Sequence, residues 1–183
     1  MVSILDNAVI LAVRAHEGQM RKEAPIPYIT HPVAVALRLA SYGFSEEVVA
    51  AALTHDVLED TKITAEELKA AIGEKAFAIV QAVTNDDSLA WEDKKRAYIE
   101  SVRRGPDGTF AVAIADKVHN LESLLAAYEK QGADVWKHFN AGMGKKIWFE
   151  EAMLAAAKED WKHPLVDRYD ALLAQLKSAT QNS

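Results

Sequence analysis

Residues 53–61 read LTHDVLEDT. One imidazole and three carboxylates, His55, Asp56, Glu59 and Asp60, follow an apolar run from Val48 to Leu53. On a helix, residues four apart share a face, which stacks His55 with Glu59 and Asp56 with Asp60. Burying several acids without compensation is costly, and a divalent cation is an economical way to offset them. A polar helix end with Glu59 and Asp60 in solvent is the plainer alternative for this segment taken alone. Two other stretches carry matching chemistry. Tyr28-Ile29-Thr30-His31-Pro32 places a histidine at a helix start, and Ala115-Asp116-Lys117-Val118-His119-Asn120 places Asp116 and Asn120 on one face of an apolar helix. Alone, His31 reads as a cap or packing residue, and Asp116 as a partner for Lys117 or a distant arginine. Together, His31, His55, Asp56 and Asp116 make a set of two imidazoles and two carboxylates. Its mixed hardness suits Mn²⁺, Fe²⁺, Zn²⁺ or Mg²⁺.

The elements that must bring these residues together are helical. Ile4, Ala8, Leu11, Ala12 and Ala15 form one apolar stripe. A loop is expected over 18–30, broken by Pro25 and Pro27, followed by a helix that begins around Thr30–Pro32 and stops at Gly43. Ser45, with Glu46 and Glu47 behind it, predicts the N-cap of a third helix running continuously into LTHDVLED. Thr64-Ala65-Glu66-Glu67 reads as a capping box for a short helix ending at Gly73, with helical continuation over 74–83. A loop over 84–91, a helix over 92–103, a turn at Gly105-Pro106-Asp107-Gly108 and a long helix over 109–130 follow. Two more helices are expected at 145–159 and 164–178. No stretch alternates as a strand would, so the fold class is all-α, a helical bundle able to converge the ligand-type residues.

The bulk composition narrows the function. The 183 residues are half hydrophobic, which predicts a single domain over 1–183 with a frayed tail over 178–183. A net charge of −6 argues against a nucleic-acid partner. A small anionic ligand is still compatible through local clusters such as Arg21-Lys22 and Lys94-Lys95-Arg96. With no cysteine there is neither a disulfide framework nor a thiolate metal site. No apolar run approaches the roughly 18–20 residues that span a membrane. A soluble, cytoplasmic protein without a membrane partner is expected, with room for a homo-oligomer.

The words AHEGQMRKEAPIPYITHP, ALTHDVLEDT, AVTNDD and IADKVHNL, in that order, resemble the hydrolase domain of RelA/SpoT-type proteins, which are HD-domain metal phosphohydrolases. The small stand-alone alarmone hydrolases known as metazoan SpoT homologues are the most similar. The resemblance runs from about residue 5 to residue 160. It implies an HD-domain bundle that binds one Mn²⁺ per chain and removes pyrophosphate from the 3′ position of (p)ppGpp, leaving GDP or GTP. It also implies that His31, His55, Asp56 and Asp116 are metal ligands, and that Glu59 and Asp60 position and deprotonate the attacking water. Asn120 would meet the ribose or phosphate end of the nucleotide, Arg21 would lie against its base, and Lys22 would sit nearby in the pocket. The chemistry is coherent: a divalent ion acidifies a water and polarises a phosphoryl oxygen, a nearby carboxylate takes the proton, and basic side chains offset the phosphate charge.

Other residues carry weaker expectations. In the family, a basic residue followed one turn later by an aromatic lines the phosphate side of the pocket, which points here to Lys145 or Lys146 and to Trp148. Solvated lysines and a core tryptophan are the competing reading. A lysine that some relatives aim at phosphate is missing near Ala90 and Trp91, with Lys94 or Lys95 as stand-ins. His119 is read either as hydrogen-bonding behind a ligand or as a packing histidine. Two rival functions remain at this point. One is the same chemistry on ppApp or on the 2′-phosphate of NADPH. The other is a non-catalytic nucleotide-binding regulator, which would have no need of Glu59 and Asp60.

Overall fold

The computed structural model describes residues 3–21, 25–138 and 142–181. Among these residues nine α-helices lie in this order: α1 Ile4–Ala15, α2 Thr30–Ser41, α3 Glu46–Thr54, α4 Val57–Asp60, α5 Ala65–Val83 (kinked at Gly73), α6 Trp91–Arg104, α7 Thr109–Gln131, α8 Gly142–Asp160 and α9 Pro164–Gln181. A 3-10 turn over Gly132–His138 follows α7 and was not anticipated in the sequence. Among the described residues there is no strand, only an isolated antiparallel bridge between Met20 and Pro27 in the loop after α1. The fold is all-α, as expected. Helical winding reaches Gln181, into the stretch read as a tail. None of the described helices is long and apolar enough to cross a membrane.

Helix α3 is the hub. It packs against α1, α2, α5 and α7, and every residue from Val48 to Thr54 is buried. A helix apolar on all sides belongs in a core, and Ala50, Ala51 and Ala52 let its neighbours approach closely. Helix α7 lies beside it, with Ala111 to Val118 wholly buried. The two ends of the capping box at Thr64 are both made: Glu67 N–H donates to Thr64 Oγ1 at 3.2 Å and Thr64 N–H to Glu67 Oε2 at 2.8 Å. Ser45 adopts the extended backbone of an N-cap, but its side chain makes no capping bond.

One expectation about local geometry is corrected. The third helix does not run through LTHDVLED. It ends at Thr54, and α4 starts anew at Val57. Thr54 Oγ1 donates to the Ala50 carbonyl at 2.9 Å and His55 Nδ1 bonds the Ala52 carbonyl at 2.8 Å, so side chains take up acceptors of the last turn. Asp56 then sits at φ −94°, ψ −4°. The Asp60 N–H still reaches the Asp56 carbonyl at 2.9 Å, so helical bonding resumes at once after the break.

The turn into α7 depends on Gly108, whose φ is +95°. A Cβ there would lie 2.6 Å from Val48 Cγ2 on α3. Gly108→Ala therefore combines backbone strain with a clash against a stiff side chain. It is expected to destabilise the fold by about 2–4 kcal/mol, read as a lowered urea midpoint with an unchanged slope. A midpoint equal to that of the parent would show that the α3–α7 approach is looser than described.

Candidate metal centre and cleft

Three helices deliver the ligand-type side chains. His31 comes from the first turn of α2, His55 and Asp56 from the break between α3 and α4, and Asp116 from the middle of α7. Asp116 Oδ1 lies 3.0 Å from His31 Nε2 and 3.6 Å from His55 Nε2. Asp56 Oδ2 lies 3.2 Å from His55 Nε2 and 3.6 Å from His31 Nε2. The donor atoms of His31, His55 and Asp116 all fall within 4.8 Å of one another. Residues 85 positions apart in the chain thus present nitrogen and oxygen to one small volume.

The chemistry of this set fits a divalent cation. The His55 Nδ1 bond to the Ala52 carbonyl fixes the ring and turns Nε2 inward, where it is buried and makes no hydrogen bond. His119 Nδ1 sits 2.7 Å from His31 Nδ1 and orients that ring in the same way. Such outer partners are what metal-ligating histidines require. Electrostatics agree. Burial alone would push the His55 pKa down, but the Asp56 and Asp116 carboxylates raise it to about 9. Burial opposes ionisation of Asp116 too, yet Lys117 and the two histidines hold its carboxyl well below the usual range. The pocket strongly favours positive charge, and a cation that binds there displaces the His55 proton. Burial and the neighbouring His31 lower His119 to about 4, keeping its ring neutral behind the site.

A cleft of about 310 Å³ opens over these atoms. Its walls include Tyr28, Glu59, Asp60, Asn85, Lys95, Tyr98, Lys117 and Asn120. The Tyr28 hydroxyl donates to Asp56 Oδ2 at 2.6 Å. Lys117 Nζ donates to Asp116 Oδ2 at 2.6 Å, so that pairing exists alongside the histidine contacts. Asn120 Nδ2 donates to Asp116 Oδ1 at 2.6 Å, and Arg21 Nη2 to Asn120 Oδ1 at 3.2 Å. Arg21 also lies over the Tyr28 ring, 5.5 Å from its centroid. Glu59 accepts bonds from Asn85, and burial raises its pKa above the usual carboxylate range despite those bonds. Asp60 is exposed at the mouth, and its carbonyl accepts from Gln19 Nε2 at 2.8 Å.

The ligand-type set, Glu59, Asp60 and Asn120 are therefore brought to one cleft, with Arg21 beside it. Lys22 lies outside the described residues. Lys145 and Trp148 are not among the cleft's walls: Lys145 is exposed near Glu92 and over Trp91, and Trp148 packs against Trp91 beneath Arg96. Lys146 pairs with the buried Glu150. Of the two stand-in lysines, Lys95 faces the cleft, whereas Lys94 bonds Asp87 at 2.8 Å. His119 supports His31 rather than Asp116. Sequence reasoning missed Tyr28, Asn85 and Tyr98, although the first two stand inside the motifs PYITHP and AVTNDD.

A search of protein families matches residues 8–144 to the family described as HD domain. The chain belongs to the HD-domain family. Among curated relatives, the zebrafish (Danio rerio) guanosine-3′,5′-bis(diphosphate) 3′-pyrophosphohydrolase MESH1 is 38% identical over 125 residues, 67% of this chain and 69% of that protein. The bifunctional (p)ppGpp synthase/hydrolase SpoT of Escherichia coli K12 is 38% identical over 126 residues, 66% of this chain; the match spans only 18% of that longer protein. A crystal structure from Listeria monocytogenes EGD-e superposes with a TM-score of 0.72 at 33% identity, covering 80% of this chain and 97% of that one. A metazoan ortholog of SpoT, described as hydrolysing ppGpp, has the same fold, with a TM-score of 0.77 at 24% identity over 94% of this chain and 95% of that one.

If this set holds a cation, Asp116→Ala should weaken Mn²⁺ binding by at least about 100-fold, and His119→Ala by about 10–100-fold through lost support of His31. Isothermal titration of each folded variant reads this directly. Parent-like affinity in Asp116→Ala would remove that residue from the site.

Proposed function

We propose that the protein is a Mn²⁺-dependent pyrophosphohydrolase that converts (p)ppGpp to GDP or GTP and pyrophosphate. The single observation that carries this reading is the convergence of His31, His55, Asp56 and Asp116 on one point, with Glu59 and Asp60 opening onto the same cleft. The printed activity of the MESH1 and SpoT relatives points the same way. His31, His55, Asp56 and Asp116 hold the cation, whose carboxylate and imidazole ligands suit Mn²⁺. When bound, it supplies Lewis acidity to a water and to a phosphoryl oxygen.

The chain's own residues account for the remaining requirements. Glu59, fixed by Asn85, orients the water; Asp60, at the open side, takes its proton. The oxygen of water bonds to the phosphorus as the bond from phosphorus to the ribose 3′-oxygen breaks, and that oxygen takes a proton from solvent to leave as a hydroxyl. Lys95 and Lys117 offset the charge of the pyrophosphate. Burial and the nearby Lys117 lower the Lys95 pKa to about 8, so its ammonium gains from an added anion. Arg21 and Asn120 meet the nucleoside end. The substrate is a small nucleotide, and a cysteine-free chain acting on it is in keeping with a cytoplasmic location.

Chromatography of ppGpp incubated with the Mn²⁺-loaded protein is expected to show GDP and pyrophosphate in equal amounts. Intact ppGpp beside cleaved ppApp or NADPH would overturn the substrate, and no turnover of any of them would favour a nucleotide-binding regulator. Asp60→Ala is expected to lower kcat by about 10²–10⁴-fold while leaving Mn²⁺ affinity near that of the parent. An unchanged rate would take the proton-accepting role away from Asp60.

A further inference from the structure

Both oxygens of Glu59 are held by a single residue, Asn85. The Asn85 backbone N–H donates to Glu59 Oε1 at 2.7 Å. Its side-chain Nδ2 donates to Oε1 at 3.0 Å and to Oε2 at 3.1 Å. One residue thus grips both oxygens of the carboxylate. The amide has only one orientation that does this, because its carbonyl oxygen must face elsewhere. That oxygen accepts from Lys95 Nζ at 2.9 Å. Lys95 is itself placed by aromatic faces, 4.9 Å from the centroid of Phe149 and 5.9 Å from that of Tyr98. Asn85 lies in the loop between α5 and α6, and Lys95 in α6, so both belong to elements other than the α4 that carries Glu59.

We infer that Asn85 is a positioning residue for Glu59, and that Lys95 acts through it by fixing which way the Asn85 amide points. The inference rests on the proposed hydrolysis for its consequence in rate, but not for its geometry. An ammonium has three N–H donors. Lys95 spends one on Asn85 and keeps others for phosphate oxygens, so the group that meets the pyrophosphate also sets the carboxylate that aims the water. Substrate charge and water orientation are joined through two hydrogen bonds. Asn85 itself touches neither the cation ligands nor the proton-accepting Asp60 among the bonds described.

Asn85→Ala keeps the backbone N–H and loses the amide. Asn85→Asp is nearly isosteric but sets a carboxylate against Glu59. Steady-state kinetics on the Mn²⁺-loaded protein should show kcat down by about 10- to 100-fold in Asn85→Ala, and further in Asn85→Asp, with KM within about threefold of the parent. Mn²⁺ affinity should stay within about twofold, since no proposed ligand is disturbed. A parent-like kcat in both variants overturns the inference. So does a fall in metal affinity that matches the fall in rate, which marks general damage. A second readout needs no turnover. In ¹⁵N-labelled protein without nucleotide, the Asn85 side-chain amide pair, identified by its loss in Asn85→Ala, should move in both Glu59→Gln and Lys95→Met. An unmoved pair in either variant breaks the relay. Should the parent fail to cleave ppGpp, the proposed substrate fails on its own, and the amide resonances still decide whether Asn85 holds Glu59.

Discussion

Two carboxylates each lie within 3.6 Å of two imidazole nitrogens in the interior of a helical bundle, and everything around them has to make that tolerable. Charge is expensive to bury unless it is paired and hydrogen-bonded. The protein meets the cost from several directions. Lys117 faces one oxygen of Asp116 while His31 and Asn120 face the other. Tyr28 donates to Asp56. The same negative field that raises His55 to about 9 makes the spot a cation site. A proton on His55 and a divalent cation would answer the same electrostatic demand.

The packing of small residues follows from that demand. For three helices to bring ligands to one point, their backbones must come close, and α3 and α7 are alanine-rich where they meet the site. Gly108 continues this economy at the start of α7, where the chain has no room for a methyl group beside Val48. At the far side, Arg38 and Arg168 both bond Glu122, joining α2 and α9 to the helix that carries Asp116. Helices that supply ligands are therefore tied both through the core and at the surface.

Much of this arrangement was legible because its signals are local. Period-3.6 patterning gave the helices, prolines and glycines gave their ends, and the capping box at Thr64 was made as expected. Imidazoles and carboxylates in apolar surroundings marked the set that converges on the cleft. What was not legible depends on tertiary geometry. The break after Thr54 arises because Thr54 and His55 side chains compete for carbonyls of their own helix, an outcome that apolar periodicity does not encode. The choice of Lys95 over Lys94 is a matter of which face of α6 meets the cleft. Lys145 and Trp148 were singled out by resemblance, and their spacing along α8 carried no information about the direction that helix would face.

The break after Thr54 also separates the duties of neighbouring acids. The turn at Asp56 sends Glu59 toward Asn85 and leaves Asp60 at the solvent side. Glu59 is then partly buried and bonded through both oxygens. Asp60 is exposed to solvent. Adjacent carboxylates in one short helix are thereby given different environments, and different environments are how one chemical group takes on two tasks. A held acceptor suits orientation of a nucleophile, whereas a solvated one suits proton exchange with water, and this pair of neighbours offers one of each.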